Sequence, residues 1–183
     1  MTISKKYLTY LLILTVVFSG VSFLTVSAQD KSITDKQTEQ IRSNCVSMKN
    51  TLNQLHASDA LLRVNRGQIY ESILTKLIDR FNSRLSNNNI NNDELKSITV
   101  KYSSMLDTFR ADYKTYEEQL SSTLNISCSD KPADFYSAIV SARTKRNQVH
   151  TDVTKLNQFL DQYQSVFNQF KKEYKTASEG MKN

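Results

Sequence analysis

Apolar side chains recur along most of this chain at alternating steps of three and four, the spacing that keeps one face of an α-helix turned toward a core. From Ile41 the series runs Cys45, Met48, Leu52, Leu55, Leu62, Ile69 and Ile73. It then slips to Leu77, Phe81 and Leu85, a four-residue stutter of the kind that locally unwinds a supercoil. The polar, Asn-rich residues 86–92 (SNNNINN) read as a turn, and Asn92-Asp93-Glu94 as a cap with negative charge for the next helix. A second series follows: Leu95, Ile98, Tyr102, Met105, Phe109, Tyr113, Tyr116 and Leu120. Ser129-Asp130-Lys131-Pro132 then offers an acid cap and a proline for the first turn of a third helix. That helix carries Phe135, Ile139, Ala142, Arg146, Val149, Val153, Leu156, Leu160, Tyr163, Phe167, Phe170 and Tyr174. With 3 glycines and 1 proline in the whole chain, hairpins of strands have few places to turn.

Counting heights at 1.5 Å per residue, with turns near 86–92 and 128–132, brings Tyr174 level with Ser86. The pattern therefore predicts an all-α fold. It is an elongated, coiled-coil-like antiparallel three-helix bundle over residues 29–176, about 60 Å long, with residues 177–183 as a flexible tail.

The first 28 residues have a different character. Lys5 and Lys6 precede an apolar run from Leu8 to Val26, and Val26-Ser27-Ala28 supplies small residues before polar Gln29-Asp30-Lys31. This is the layout of a secretory signal peptide, and about 19 apolar residues also suffice for an uncleaved anchor. Either way the two lysines stay inside. The remainder is expected to be exported: secreted, or held on the outer side of the cytoplasmic membrane through residues 8–26. The two cysteines, Cys45 and Cys128, then meet an oxidising compartment, and a structural disulfide between them is the expected use. By the same counting they lie within reach of one another, and loop entropy assigns the bridge about 4–5 kcal/mol.

The net charge of +6 is mild and its basic residues are interspersed with acids, as on solvated helix faces. That distribution excludes the clustered stripe a nucleic-acid role requires. The 2 histidines, His56 and His150, count to heights about 18 Å apart, too far for a shared metal or proton relay. No HExxH, GxSxG or phosphate-loop motif is present, so neither enzyme activity nor a cofactor is expected.

Polar residues do interrupt the core series at one height. Asp59, Arg63 and Arg66 on the first helix, Asp112, Tyr113, Tyr116 and Glu117 on the second, and Arg143 and Arg146 on the third all count to the same level. The structural reading is a self-satisfied layer that fixes register, in which Asp112→Ala costs about 3–5 kcal/mol. The alternative is an anion or carboxylate pocket built on the arginines. Gly67, beside the layer, reads as a site of close helix approach, a kink or a tolerated weakness.

The runs from Leu62 to Glu71 and from Asp107 to Tyr113, with Cys128, Pro132, Phe135-Tyr136 and Ala142-Arg143-Thr144-Lys145-Arg146, resemble exported helical proteins of Saccharibacteria-type candidate-phyla bacteria. The resemblance implies a bacterial envelope setting and no established activity. The expected role is a structural or interaction module of the envelope, with a protein partner or self-association. An extracytoplasmic domain binding a small anion or carboxylate is the alternative.

Overall fold

A computed structural model describes residues 33–180 of the chain. The segment read as a signal peptide or anchor (1–28, with its apolar run 8–26) and the last residues of the expected tail (181–183) lie outside the described residues. The fold is all-helical, with no strand among the described residues. The elements are α1 (Asp35–Ser43), α2 (Cys45–Ser72), a π-helical turn (Ile73–Ile78), α3 (Asp79–Asn87), α4 (Asp93–Leu124) and α5 (Pro132–Gly180). None of these helices is long and apolar enough to cross a membrane.

A capping box opens α1. Gln37 N donates to Thr34 Oγ1 at 3.3 Å, and Thr34 N donates to Gln37 Oε1 at 2.9 Å. The helix stops at Asn44, whose side chain donates to the Gln40 carbonyl, so α1 and α2 are separate where the periodicity alone predicts one helix. Ile41 of α1, Cys128 and Phe135 form a small buried cluster, flanked by Met48, Leu52 and Ile139. Here Cys45 and Cys128 stand at disulfide-bonding distance, with Cα atoms 5.5 Å apart across 83 residues of sequence.

The π turn occupies the place where the sequence stutters, and it decides which face of α2 and α3 is buried. The core side chains are Tyr70, Leu74, Ile78 and Leu85, with Asn82 among them. In an α-helix each step of four overshoots by about 40°, so three in a row would swing the face by roughly 120°. The wider π turn absorbs that drift and keeps Tyr70 and Asn82 on one side. This corrects the stripe expected from the sequence: Leu62, Ile69 and Leu77 are exposed, not core.

In the second series the periodicity is matched throughout, for all eight residues of the α4 stripe are buried, with Leu106 beside them. On α5, Phe135, Ala142, Val149 and Leu156 are buried, and Val153, Leu160 and Tyr163 pack partly against the core. Farther along, Phe81 meets Phe167 and Phe170 edge-on, with centroids 5.0 and 5.9 Å apart. α5 continues through Gly180, so residues 177–180 are helical where the sequence suggests a tail, and Lys175 pairs with Glu179 one turn on at 3.8 Å.

The turn between α3 and α4 places Asn89 at φ 54°, a left-handed position that asparagine tolerates. Asn92 does not cap α4 with its side chain. Its amide donates to the Asn82 carbonyl at 3.1 Å. Asn82 in turn donates to Thr99 Oγ1 (2.8 Å) and accepts from the Tyr163 hydroxyl (2.9 Å), so one buried amide joins α3, α4 and α5. Along α2 and α4 the bonded partners run in opposite directions, Tyr102 to Tyr70 and Tyr116 to Asp59, as antiparallel helices require.

Candidate functional site

The polar layer is centred on Asp59, which α2 carries into the core at 4 % exposure. Its carboxylate accepts from the Tyr116 hydroxyl at 2.7 Å, from Arg146 Nε at 2.9 Å and from Arg146 Nη2 at 3.4 Å. The Tyr113 hydroxyl donates to the Asp59 backbone carbonyl. Three helices therefore converge on one acid. Burial, reinforced by the Asp59 charge, pushes the Tyr113 phenol up to about 12. Burial and then the Asp59 bond push Tyr116 well above the ordinary phenol range. The Asp59 bond outweighs burial at Arg146 and holds its guanidinium more firmly protonated. Both phenols are thus fixed as donors and the arginine as a cation.

The remaining residues of the expected layer separate into three groups. Glu117 pairs with Arg63 at 2.7 Å, leaving its other oxygen, Oε1, buried without a donor. Arg66 and Arg143 are exposed and form no ion pair among the described residues. Asp112 does not neutralise an arginine. It lies instead against Asp152 of α5, which corrects its expected role. Counting along the axis gives height but not direction: Tyr113 and Tyr116 reach α2, whereas Asp112, at the same height, meets α5.

Asp152 is the residue that sequence reasoning missed. It is fully buried, accepts from Gln148 Nε2 at 3.0 Å through Oδ1, and keeps Oδ2 without a donor. Burial first, and then the neighbouring Asp112, push its carboxyl above the usual range, while the Gln148 bond and Lys155 oppose the rise. The folded chain therefore favours the protonated form of this acid. The signal was present in the spacing, since 149, 152 and 156 step by three and four through the core.

Two open features adjoin this framework. A cleft of about 240 Å³ lies beside the layer, lined by Asp59, Leu62, Arg66, Phe109, Tyr113, Tyr116, Arg146, Asn147, Val149, His150 and Val153. A trough of about 630 Å³ runs between the π turn with α3 and the far part of α5, over Ile73, Leu77, Phe81, Leu160 and Phe167. Neighbouring hollows share Ile73 and Leu77 on one side and Phe81 and Phe167 on the other. Together they form one furrow along residues 65–88. Lys76, Arg80, Arg84 and Lys171 line it, and among the described residues no acid does. Exposed Ile69 (56 %) and Leu77 (65 %) belong to it. Among the described residues no three His, Cys, Asp or Glu side chains gather closely enough to hold a metal ion.

Compared with protein-family models, with curated proteins and with solved structures, the chain matches none.

Proposed function

We propose that this chain is a non-catalytic interaction module of the cell envelope that docks an acidic amphipathic helix of a partner protein in the basic, apolar furrow. In this reading residues 29–176 act as an elongated antiparallel three-helix bundle. Residues 1–28 export it, and residues 8–26 tether it to the outer side of the membrane if they are retained. The Cys45–Cys128 pair at bonding distance supports an oxidising compartment, and the likeness to exported helical proteins of Saccharibacteria-type bacteria supports the envelope.

The observation that carries the proposal is the second apolar stripe of α2. Ile69 of α2 and Leu77 of the π turn keep helical spacing yet face solvent, and they lead into a trough floored by Phe81 and Phe167. A contiguous apolar surface with a polar rim marks an interaction site. Residues 65–88 extend about 35 Å at the α-helical rise, which accommodates a partner helix of five or six turns. The rim selects the partner. Lys76, Arg80, Arg84 and Lys171 favour carboxylates flanking an apolar face, whereas a second copy meeting through the same patch would set basic rim against basic rim.

Selection of the full chain, in non-ionic detergent, against a displayed library of helical peptides tests this. Enriched peptides are expected to place Asp and Glu beside an i, i+3, i+4, i+7 apolar stripe. Leu77→Glu should weaken them by about tenfold or more, because it puts an acid in the apolar floor. Enrichment of neutral or basic peptides, or binding indifferent to Leu77→Glu, would refute the assignment.

A further inference from the structure

We propose that the cleft beside Asp59 is a binding site for a compact monocarboxylate with an apolar body, independent of the furrow. Two arginines line this cleft and one acid offsets them. Asp59 engages Arg146 through Nε and Nη2, which leaves Nη1 on a side chain 53 % open to solvent. Arg66 has no ion pair among the described residues. The cleft therefore retains one unneutralised guanidinium and one partly committed one, and a carboxylate is the group whose geometry suits both.

The pairings around the cleft define its selectivity. The Tyr113 and Tyr116 hydroxyls are already committed to the Asp59 carbonyl and carboxylate, so they offer no donor to a ligand. Recognition falls to Arg66, Arg146, the Asn147 amide and the His150 ring. Leu62, Phe109, Val149 and Val153 supply an apolar part of the lining, which has no counterpart on an inorganic anion. Asp59 at the same cleft repels a second negative charge, so a monoanion is favoured over a phosphate dianion. At about 240 Å³ the space is smaller than the roughly 300–1,000 Å³ of drug-sized sites, which limits the ligand to a single short chain or ring. Asp59 acts here as a positioning residue: it fixes the Arg146 fork from behind.

Calorimetric titration of the full chain in non-ionic detergent with benzoate, benzamide and inorganic phosphate tests the site. Benzoate is expected to bind saturably, with benzamide and phosphate each weaker by about tenfold or more, one for want of charge and the other for want of an apolar body. Arg66→Met should weaken benzoate by about tenfold or more without lowering the melting temperature, since Arg66 forms no ion pair among the described residues. Arg63→Met should leave the benzoate affinity unchanged, because Arg63 faces Glu117 and does not line the cleft. The proposal is overturned if benzoate does not bind, if benzamide or phosphate binds as well, or if Arg66→Met and Arg63→Met have equal effects.

Discussion

Asp59 and Arg146 share one bond pair but differ in their access to water, so their removal has unequal consequences. Arg146→Met leaves a buried carboxylate with only the Tyr116 hydroxyl to hold it. The expected loss is about 3 kcal/mol, the lower end for a broken buried pair, because the arginine itself is half in solvent. Asp59→Ala lets Arg146 rehydrate and is expected to lose only about 1–2 kcal/mol, for the acceptor that Tyr116 no longer has. Urea unfolding of the two variants measures the difference, and equal losses would contradict the asymmetry. Asp112→Ala, for which height counting alone implied a large loss, should be neutral or stabilising, since Asp112 faces an acid. Asp152→Asn isolates that contact. The folded state raises the Asp152 pKa, so it favours the protonated acid. The resulting stability is complete below the unfolded carboxyl range and is lost as pH climbs through the folded value. Asparagine keeps the neutral form, can still accept from Gln148, and supplies an amide donor. Its advantage over the natural chain should be smallest in acid and grow as pH rises toward neutral. A pH-independent difference would exclude the raised Asp152 pKa.

At the scale of elements, α2 tolerates a weakness and the π turn corrects a misfit. Gly67 is helical, and a Cβ added there would meet nothing within 4 Å. Of the three readings that the sequence leaves open, the tolerated weakness is the one that fits, and Gly67→Ala should stabilise the chain by about 0.5–1 kcal/mol in thermal unfolding. The π turn makes a sharper prediction. Deleting the exposed Thr75 converts the buried steps after Tyr70 into alternating fours and threes, which an ordinary α-helix satisfies, so stability should change by less than about 1 kcal/mol. Deleting the exposed Gln68, in the α-helical part, rotates everything before it by about 100° against Tyr70 and should remove Asp59 from Tyr116. Similar losses for the two deletions, in urea unfolding, would mean that the π turn absorbs no register.

For the whole molecule, the link between Cys45 and Cys128 has the greatest reach. It joins the start of α2 to the segment before α5, beside the Ile41–Phe135 cluster that also holds α1. Mass spectrometry of the unreduced protein should show the loss of two protons, and reduction should lower stability by about 4–5 kcal/mol on loop entropy alone. Two freely alkylated thiols in the native protein would remove both the bridge and its support for an oxidising compartment.

The sequence by itself determined the helical class, the α4 core stripe and the first part of that on α5, both main turns, the approach of the cysteines and the height of the polar layer; Tyr174, at the far end of the α5 stripe, is exposed. Each of these depends on local periodicity or on rise per residue, which any stretch of helix carries within itself. Only the tertiary structure decided direction around the axis. The first helix has apolar residues on two faces, and periodicity cannot choose between Tyr70–Leu74–Ile78 and Leu62–Ile69–Leu77; the π turn and the packing of α4 and α5 made that choice. For the same reason Asp59 rather than Asp112 became the acid of the arginine layer, and Asp152 became buried against Asp112. Contacts between helices depend on rotation as well as on height, and rotation is set by the neighbours a helix packs against.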